Sequence, residues 1–225
     1  MTIALEKKAL EIHQELLRTF GEQAPWSRLD PVSELVSTIL SQNTNDQLRD
    51  QAYNSLRQRF PDWALVRDAA PEEVISAIRI AGLAQQKGPH IQEALRRISD
   101  ERGELSLEFL RGMSIPEAKA WLTGIKGVGP KTAAIILLFS LDMPAFPVDT
   151  HIHRVTRRLG LIPARASREK AHELLESLLP PQTYCSFHLN VIRLGREVCQ
   201  ARRPRCEICR LRALCDFAAQ DQQAS

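Results

Sequence analysis

No stretch of the 225-residue sequence is apolar for long enough to cross a membrane. The longest run, Ala133 to Phe139, stops at seven residues, against the ~20 that a spanning helix needs. The opening MTIALEKKAL contains no secretory hydrophobic region, so a reducing cytosolic setting is expected, with no membrane partner. A repeat of solenoid period is missing, paired strand patterns are missing, and low complexity is confined to the polar tail Gln220 to Ser225. Cysteine is scarce. There are five, four of them inside residues 199–215, which in the cytosol argues for a metal or cluster site and against a disulfide framework.

What is present is an ordinary globular composition, 44% apolar and 25% charged, with length enough for one sizeable core or two small ones. The net charge of +3 averages over unlike parts. Residues 151–215 hold thirteen Lys/Arg against five Glu, a balance of +8, which leaves −5 for the rest. Such asymmetry suits a nucleic-acid footprint, although a solvated basic face has the same composition. Helical periodicity dominates, and the fold class is therefore all-α. Leu5, Ala9, Ile12, Leu16 and Phe20 share one face of a first helix, and Asp30-Pro31 reads as an N-cap and first position of a second. Further helices are expected at about 46–60, 71–80, 88–101, 106–112 and 116–124, with Asp46 capping the one that begins near it.

Between two helical patterns lies LTGIKGVGPKTAAIILLF, residues 122–139. Gly127 and Gly129 permit positive φ and remove the Cβ atoms that keep a phosphate from the backbone. Amides in such a turn, opening into a helix N-terminus, suit a phosphate oxygen. Lys131 falls in the first turn of that helix, where the positive end of the dipole disfavours the ammonium and favours a nucleophilic amine. Downstream, in FPVDTHIHRVTRRLGL, Asp149 occupies an expected N-cap. The intervening chain suffices for one helix, a reversal at Met143-Pro144 and a return, so that both side chains can face one cleft. The four clustered cysteines, spaced Cys199-x6-Cys206-x2-Cys209-x5-Cys215, suit either an iron–sulfur cluster or a zinc ion on spacing alone.

Together IKGVGPKTA, VDTHIHRV and the cysteine spacing resemble the endonuclease III family, helix-hairpin-helix DNA glycosylase/AP lyases of base excision repair, over nearly the whole chain. The resemblance implies a six-helix barrel at about residues 24–143, with the helix-hairpin-helix at about 117–141. Residues 1–23 and 144–225 then form a discontinuous cluster domain with its loop at 199–215. Duplex DNA carrying a damaged base or an abasic site is the implied partner of a monomer working in a bacterial or archaeal cytosol or nucleoid. One 4Fe–4S cluster is the implied cofactor, held by Cys199, Cys206, Cys209 and Cys215. It would pin a loop whose Arg202, Arg203 and Arg205 meet phosphates, and such contacts position DNA without reading sequence. Cys185, outside the spacing, is expected to be a buried thiol.

Catalysis is likewise implied by the resemblance. A base inside a duplex must be flipped out and its gap filled, a task that falls to Asn43 or its neighbour Gln42 and to Leu83. Asn43 stands where the family pattern has Gln. Lys131 would attack C1′ to form a Schiff base while Asp149 stabilises the cationic sugar, and β-elimination would nick the strand. Gly127, Gly129, Lys126 and His151 are expected to contact DNA, and Asp46 is placed near the active site; His153 reads as a satisfied surface histidine. Three rivals stand beside this reading: a monofunctional uracil or thymine-mismatch glycosylase, a non-catalytic DNA-binding module, and a structural zinc protein. An adenine-removing relative needs a glutamate where this chain has Ser37-Thr38-Ile39, and more chain after Cys215.

Overall fold

The computed structural model describes residues 2–24 and 28–223, and every regular element among them is helical. None of these helices is long and apolar enough to cross a membrane. The chain divides into two compact units, one of Ser27–Met143 and one of Met1–Trp26 with Pro144–Ser225.

The discontinuous unit begins with α1 (Thr2–Phe20). Ala9, Ile12 and Leu16 are buried at helical spacing, while Leu5 and Phe20 near its ends are half-buried.

The continuous unit runs through α2 (Pro31–Ser41), α3 (Asp46–Arg59), α4 (Trp63–Asp68), α5 (Pro71–Ala77), α6 (Ala84–Arg102), α7 (Ile115–Thr123) and α8 (Pro130–Ile135). Short 3-10 turns lie at Arg79–Ala81 and Glu108–Gly112. α2 is the core helix. Val32, Leu35, Val36, Ile39 and Leu40 are all buried against α3, α6 and α8. Its start is set locally, because the Asp30 carboxylate accepts from the amides of Val32 (3.1 Å) and Ser33 (3.0 Å) and Pro31 needs no partner for a missing N–H.

Three sequence expectations are corrected in this unit, and one helix was not anticipated. Asn45, not Asp46, caps α3: its extended backbone lets the side chain accept from Leu48 N at 2.9 Å, whereas Asp46 is already helical. α6 starts at Ala84 and not at 88, since Ala84, Lys87, Gly88 and Ile91 form one buried stripe that overrides the Gly-Pro punctuation. Gly88 is needed there, as a Cβ would approach Ile75 Cγ1 to 2.9 Å. The segment at 106–112 is a 3-10 turn, too short to settle as α-helix. Finally α4, six residues long, is below the length at which periodicity is legible; it forms because Trp63 and Val66 are buried and Asp62 caps it.

α8 continues as a π-helical turn, Ile136–Ser140. Its end carbonyls are satisfied by arginines: Arg28 Nε donates to Phe139 O at 3.0 Å, and Arg111 donates to Ser140 O at 3.1 Å and also to Leu141 O.

The discontinuous unit resumes after Pro144 with α9 (Thr150–Arg158), α10 (Arg168–Leu178), α11 (Tyr184–Glu197) and α12 (Asp216–Gln223). α11 packs on α9 and α1 around Phe146, Tyr184 and Phe187. The Phe146 ring meets Tyr184 edge-on with centroids 5.4 Å apart.

Candidate active site and cysteine pocket

The hairpin between α7 and α8 is locked by Ile125 and Val128, both buried, with Val128 N donating to Ile125 O at 3.0 Å. Gly127 has φ 83°, and a Cβ there would sit 2.7 Å from His90 Nδ1, so only glycine fits. Gly129 departs from expectation: its φ is −95°, which any residue adopts. As N-cap of α8 it faces open space, with nothing within 4 Å of a built Cβ. The next residue is proline, so the first N–H groups of the helix not bonded within it belong to Lys131 and Thr132. Lys131 is half-buried at the second position of α8. Lys126 is exposed and pairs loosely with Glu93 at 3.7 Å.

Two loops of the same unit carry the residues expected to invade DNA. Gln42 caps the C-terminus of α2, and its Nε2 donates to Gly127 O at 2.8 Å. Asn43 is exposed with φ 53°. Leu83 is not a core leucine. It is 52% exposed and has φ 51°, a left-handed conformation that costs a leucine about 1 kcal/mol or more.

In the other unit Asp149 caps α9, its Oδ1 accepting from Ile152 N at 2.7 Å. The strap before it is pinned from three sides. Phe146 N donates to Glu176 Oε1 (2.8 Å), while the carbonyls of Phe146 and Pro147 accept from Nδ1 of His172 (2.8 Å) and of His188 (3.0 Å). Sequence reading missed all three anchors, because nothing in the pattern marks which histidine lies under which carbonyl. His151 is half-buried with Nδ1 3.2 Å from Arg154 Nη2. Arg154, also missed, donates to Gly195 O at 2.8 Å and from Nε to Cys199 O at 3.2 Å, tying α9 to the first clustered cysteine. His153 is satisfied by Ala166 O at 2.8 Å.

Cys199, Cys206, Cys209 and Cys215 line one pocket, walled by Val155, Leu159, Leu194, Val198 and Phe217. Among the described residues no three His, Cys, Asp or Glu side chains close on a single-ion site. Arg158 reaches Cys199 Sγ at 3.3 Å and the carbonyls of Gln200 (2.7 Å) and Ala201 (2.9 Å), and its own carbonyl accepts from Cys215 Sγ at 3.3 Å. Burial pushes the Cys209 and Cys215 thiols up, opposed by backbone N–H groups of Leu211 and of Phe217 and Ala218. Arg202, Arg203 and Arg205 are exposed on the loop that follows Cys199. Cys185 lies apart, half-buried and not fully buried as expected, 3.9 Å from Gln23 O.

Residues 36–181 match the model of the HhH-GPD superfamily base excision DNA repair proteins. The chain is 31% identical over 207 residues to endonuclease III of Thermotoga maritima, with 92% of each chain covered. It is 41% identical over 158 residues to a protein of Arabidopsis thaliana named as a candidate DNA glycosylase, covering 70% of this chain and spanning only 53% of the plant protein. A solved structure of a trapped endonuclease III–DNA covalent intermediate shares the fold with a TM-score of 0.81, at 24% identity, over 96% of this chain and 98% of that one.

Proposed function

Since the chain belongs to the HhH-GPD superfamily of base excision DNA repair proteins, we propose that it is a bifunctional DNA glycosylase/AP lyase with Lys131 as nucleophile and Asp149 as its carboxylate partner. The observation that carries this reading is Lys131 itself, half-buried at the opening of α8 beside two amides free to meet a phosphate. A DNA-binding module would need the amides and not the amine, and a water-using glycosylase would leave the amine idle. Neither alternative is favoured.

Duplex DNA with a damaged, oxidised pyrimidine or an abasic site is the substrate. The hairpin amides and the exposed Arg202, Arg203 and Arg205 hold phosphates, with no sequence preference. Asn43 and Leu83 fill the gap left by the extruded nucleotide. Gln42 is committed to the hairpin, which leaves the invading role to Asn43.

Lys131 Nζ then bonds to C1′ as the C1′–base bond breaks, and the base leaves with that electron pair and takes up a proton. Asp149 stabilises the positive charge that builds on the sugar; one of its oxygens is held by the cap to Ile152 N, so the carboxylate is fixed in orientation before substrate arrives. Ring opening yields the imine. Loss of a C2′ proton and departure of the 3′ phosphate oxygen cut the strand, and water releases Lys131.

The donor set of the cysteine pocket fits a 4Fe–4S cluster. Four cysteines lining one cavity are the usual ligand complement of such a cluster. When bound, the cluster supplies cross-linking of the loop. Arg158 and Arg154 hold the carbonyls of residues 199–201 from the protein side, so that Arg202, Arg203 and Arg205 project from a fixed base.

Borohydride trapping tests the proposal. Duplexes carrying an abasic site, thymine glycol or uracil should yield a covalent complex that Lys131→Ala loses, and the ranking of duplexes gives the preferred lesion. Base release without trapping would reject Lys131 as nucleophile.

A further inference from the structure

Lys87 is 2% exposed. It carries an ammonium into the interior of the Ser27–Met143 unit, where burial pulls its titration below the usual lysine range and no charged partner offsets that shift. A buried unpaired charge is costly, and an apolar side chain of similar length would fill the space without that cost. Its two acceptors explain the ammonium. Nζ donates to Leu40 O at 2.8 Å and to Ala81 O at 2.9 Å.

Leu40 is the penultimate residue of α2, and Ala81 is the last of the Arg79–Ala81 turn. Both carbonyls sit at helix ends, where partners within the helix run out and partial negative charge collects. Just beyond each one the chain enters left-handed backbone, at Asn43 (φ 53°) on one side and at Gly82 (φ 66°) and Leu83 (φ 51°) on the other. α6 then starts from Leu83, whose carbonyl accepts from the amides of Gln86 and Lys87 at 2.9 Å each. One buried cation therefore sits beneath both loops.

We propose that Lys87 is a positioning residue for nucleotide extrusion: by capping the ends of α2 and of the Arg79–Ala81 turn together, its ammonium sets the spacing of the loops that present Asn43 and Leu83 to DNA. This rests on the gap-filling roles given to those two residues above. The energetic logic is that two exposed residues in strained backbone keep their geometry only if the surrounding structure over-determines it. The clamp acts on filling the gap and not on the attack by Lys131, so its loss should be felt only where a base pair must be opened.

The test is Lys87→Met, which keeps length and removes the donor. The substitution leaves the Leu40 and Ala81 carbonyls without this donor, and the melting temperature of the variant checks that the unit is still folded. Single-turnover strand cleavage is then measured on a duplex with a paired lesion and on a single-stranded abasic oligonucleotide. The expected result is a drop of about tenfold or more on the duplex with less than about twofold change on the single strand. In an Asn43→Ala/Leu83→Ala background, Lys87→Met should have no further effect. Equal losses on both substrates would mark general damage and overturn the clamp, as would no loss on either. If Lys87→Met does not fold, Lys87→Gln, neutral and too short to span both carbonyls, is read by the same ratio. A wild-type chain inactive on both substrates would instead sink the glycosylase/lyase reading, an outcome visible before any variant is compared.

Discussion

Gln42 donates its side-chain amide to the carbonyl of Gly127 across 2.8 Å, joining the end of α2 to the turn of the hairpin although the two lie 85 residues apart in sequence. The bond is part-buried, so its loss is only partly made good by water. Gln42→Ala should lower stability by about 1 kcal/mol and weaken binding to any duplex, damaged or not. Thermal melts and fluorescence anisotropy measure the two effects.

The hairpin glycines should respond oppositely to alanine. At Gly127 the left-handed φ of 83° and a Cβ 2.7 Å from His90 Nδ1 predict strain, with Gly127→Ala costing about 1–3 kcal/mol in urea unfolding. At Gly129 the backbone is extended and the surroundings open. Gly129→Ala should change stability by less than about 0.5 kcal/mol, yet its methyl group stands where a phosphate approaches, so DNA affinity falls while the melting temperature holds.

The proposed cluster ligands and the fifth cysteine should respond differently to serine. Cys215→Ser should lose iron and the broad visible absorption of the purified protein, because the pocket then has three thiols. Cys185→Ser should keep both, since that thiol faces Gln23 O and does not line the pocket. Iron assay and absorption spectra decide. Zinc in place of iron would overturn the cluster assignment.

Burial, with the nearby Glu176 carboxylate adding to it, pushes the Tyr184 phenol up to about 12. An unfolded chain ionises its tyrosines near about 10. The fold favours the neutral phenol, so the stability this site contributes is present in full below about pH 10 and is lost as pH rises towards about 12. Urea midpoints should stay level and then drop across that window. Tyr184→Phe should flatten the drop while also losing the bond from the phenol to Glu176 O (2.8 Å), which lowers stability at neutral pH.

Much of the site was legible because its parts are local. A proline after Asp30, a glycine at 127, a lysine one residue past Pro130 and an aspartate before a helical pattern each act on their own neighbours, and the structure places each in the expected kind of position. The misreadings had two sources, one local and one tertiary. Asn45 against Asp46 turned on one backbone conformation, and the start of α6 turned on a buried stripe that includes a lysine.

By itself the sequence determined that the chain is helical, that a hairpin presents Lys131 at a helix opening, and that four cysteines recur at ligand spacing, since periodicity, glycine geometry and thiol chemistry operate over a few residues. Tertiary structure alone decided that Leu83 stands exposed in left-handed backbone, that Arg154 binds the carbonyl of Cys199, and that Lys87 is buried beneath two loops. Each of these depends on where a carbonyl or a core surface from a remote part of the chain comes to rest. Burial and hydrogen-bond partnership are properties of the packed chain, so no residue carries them in its own identity.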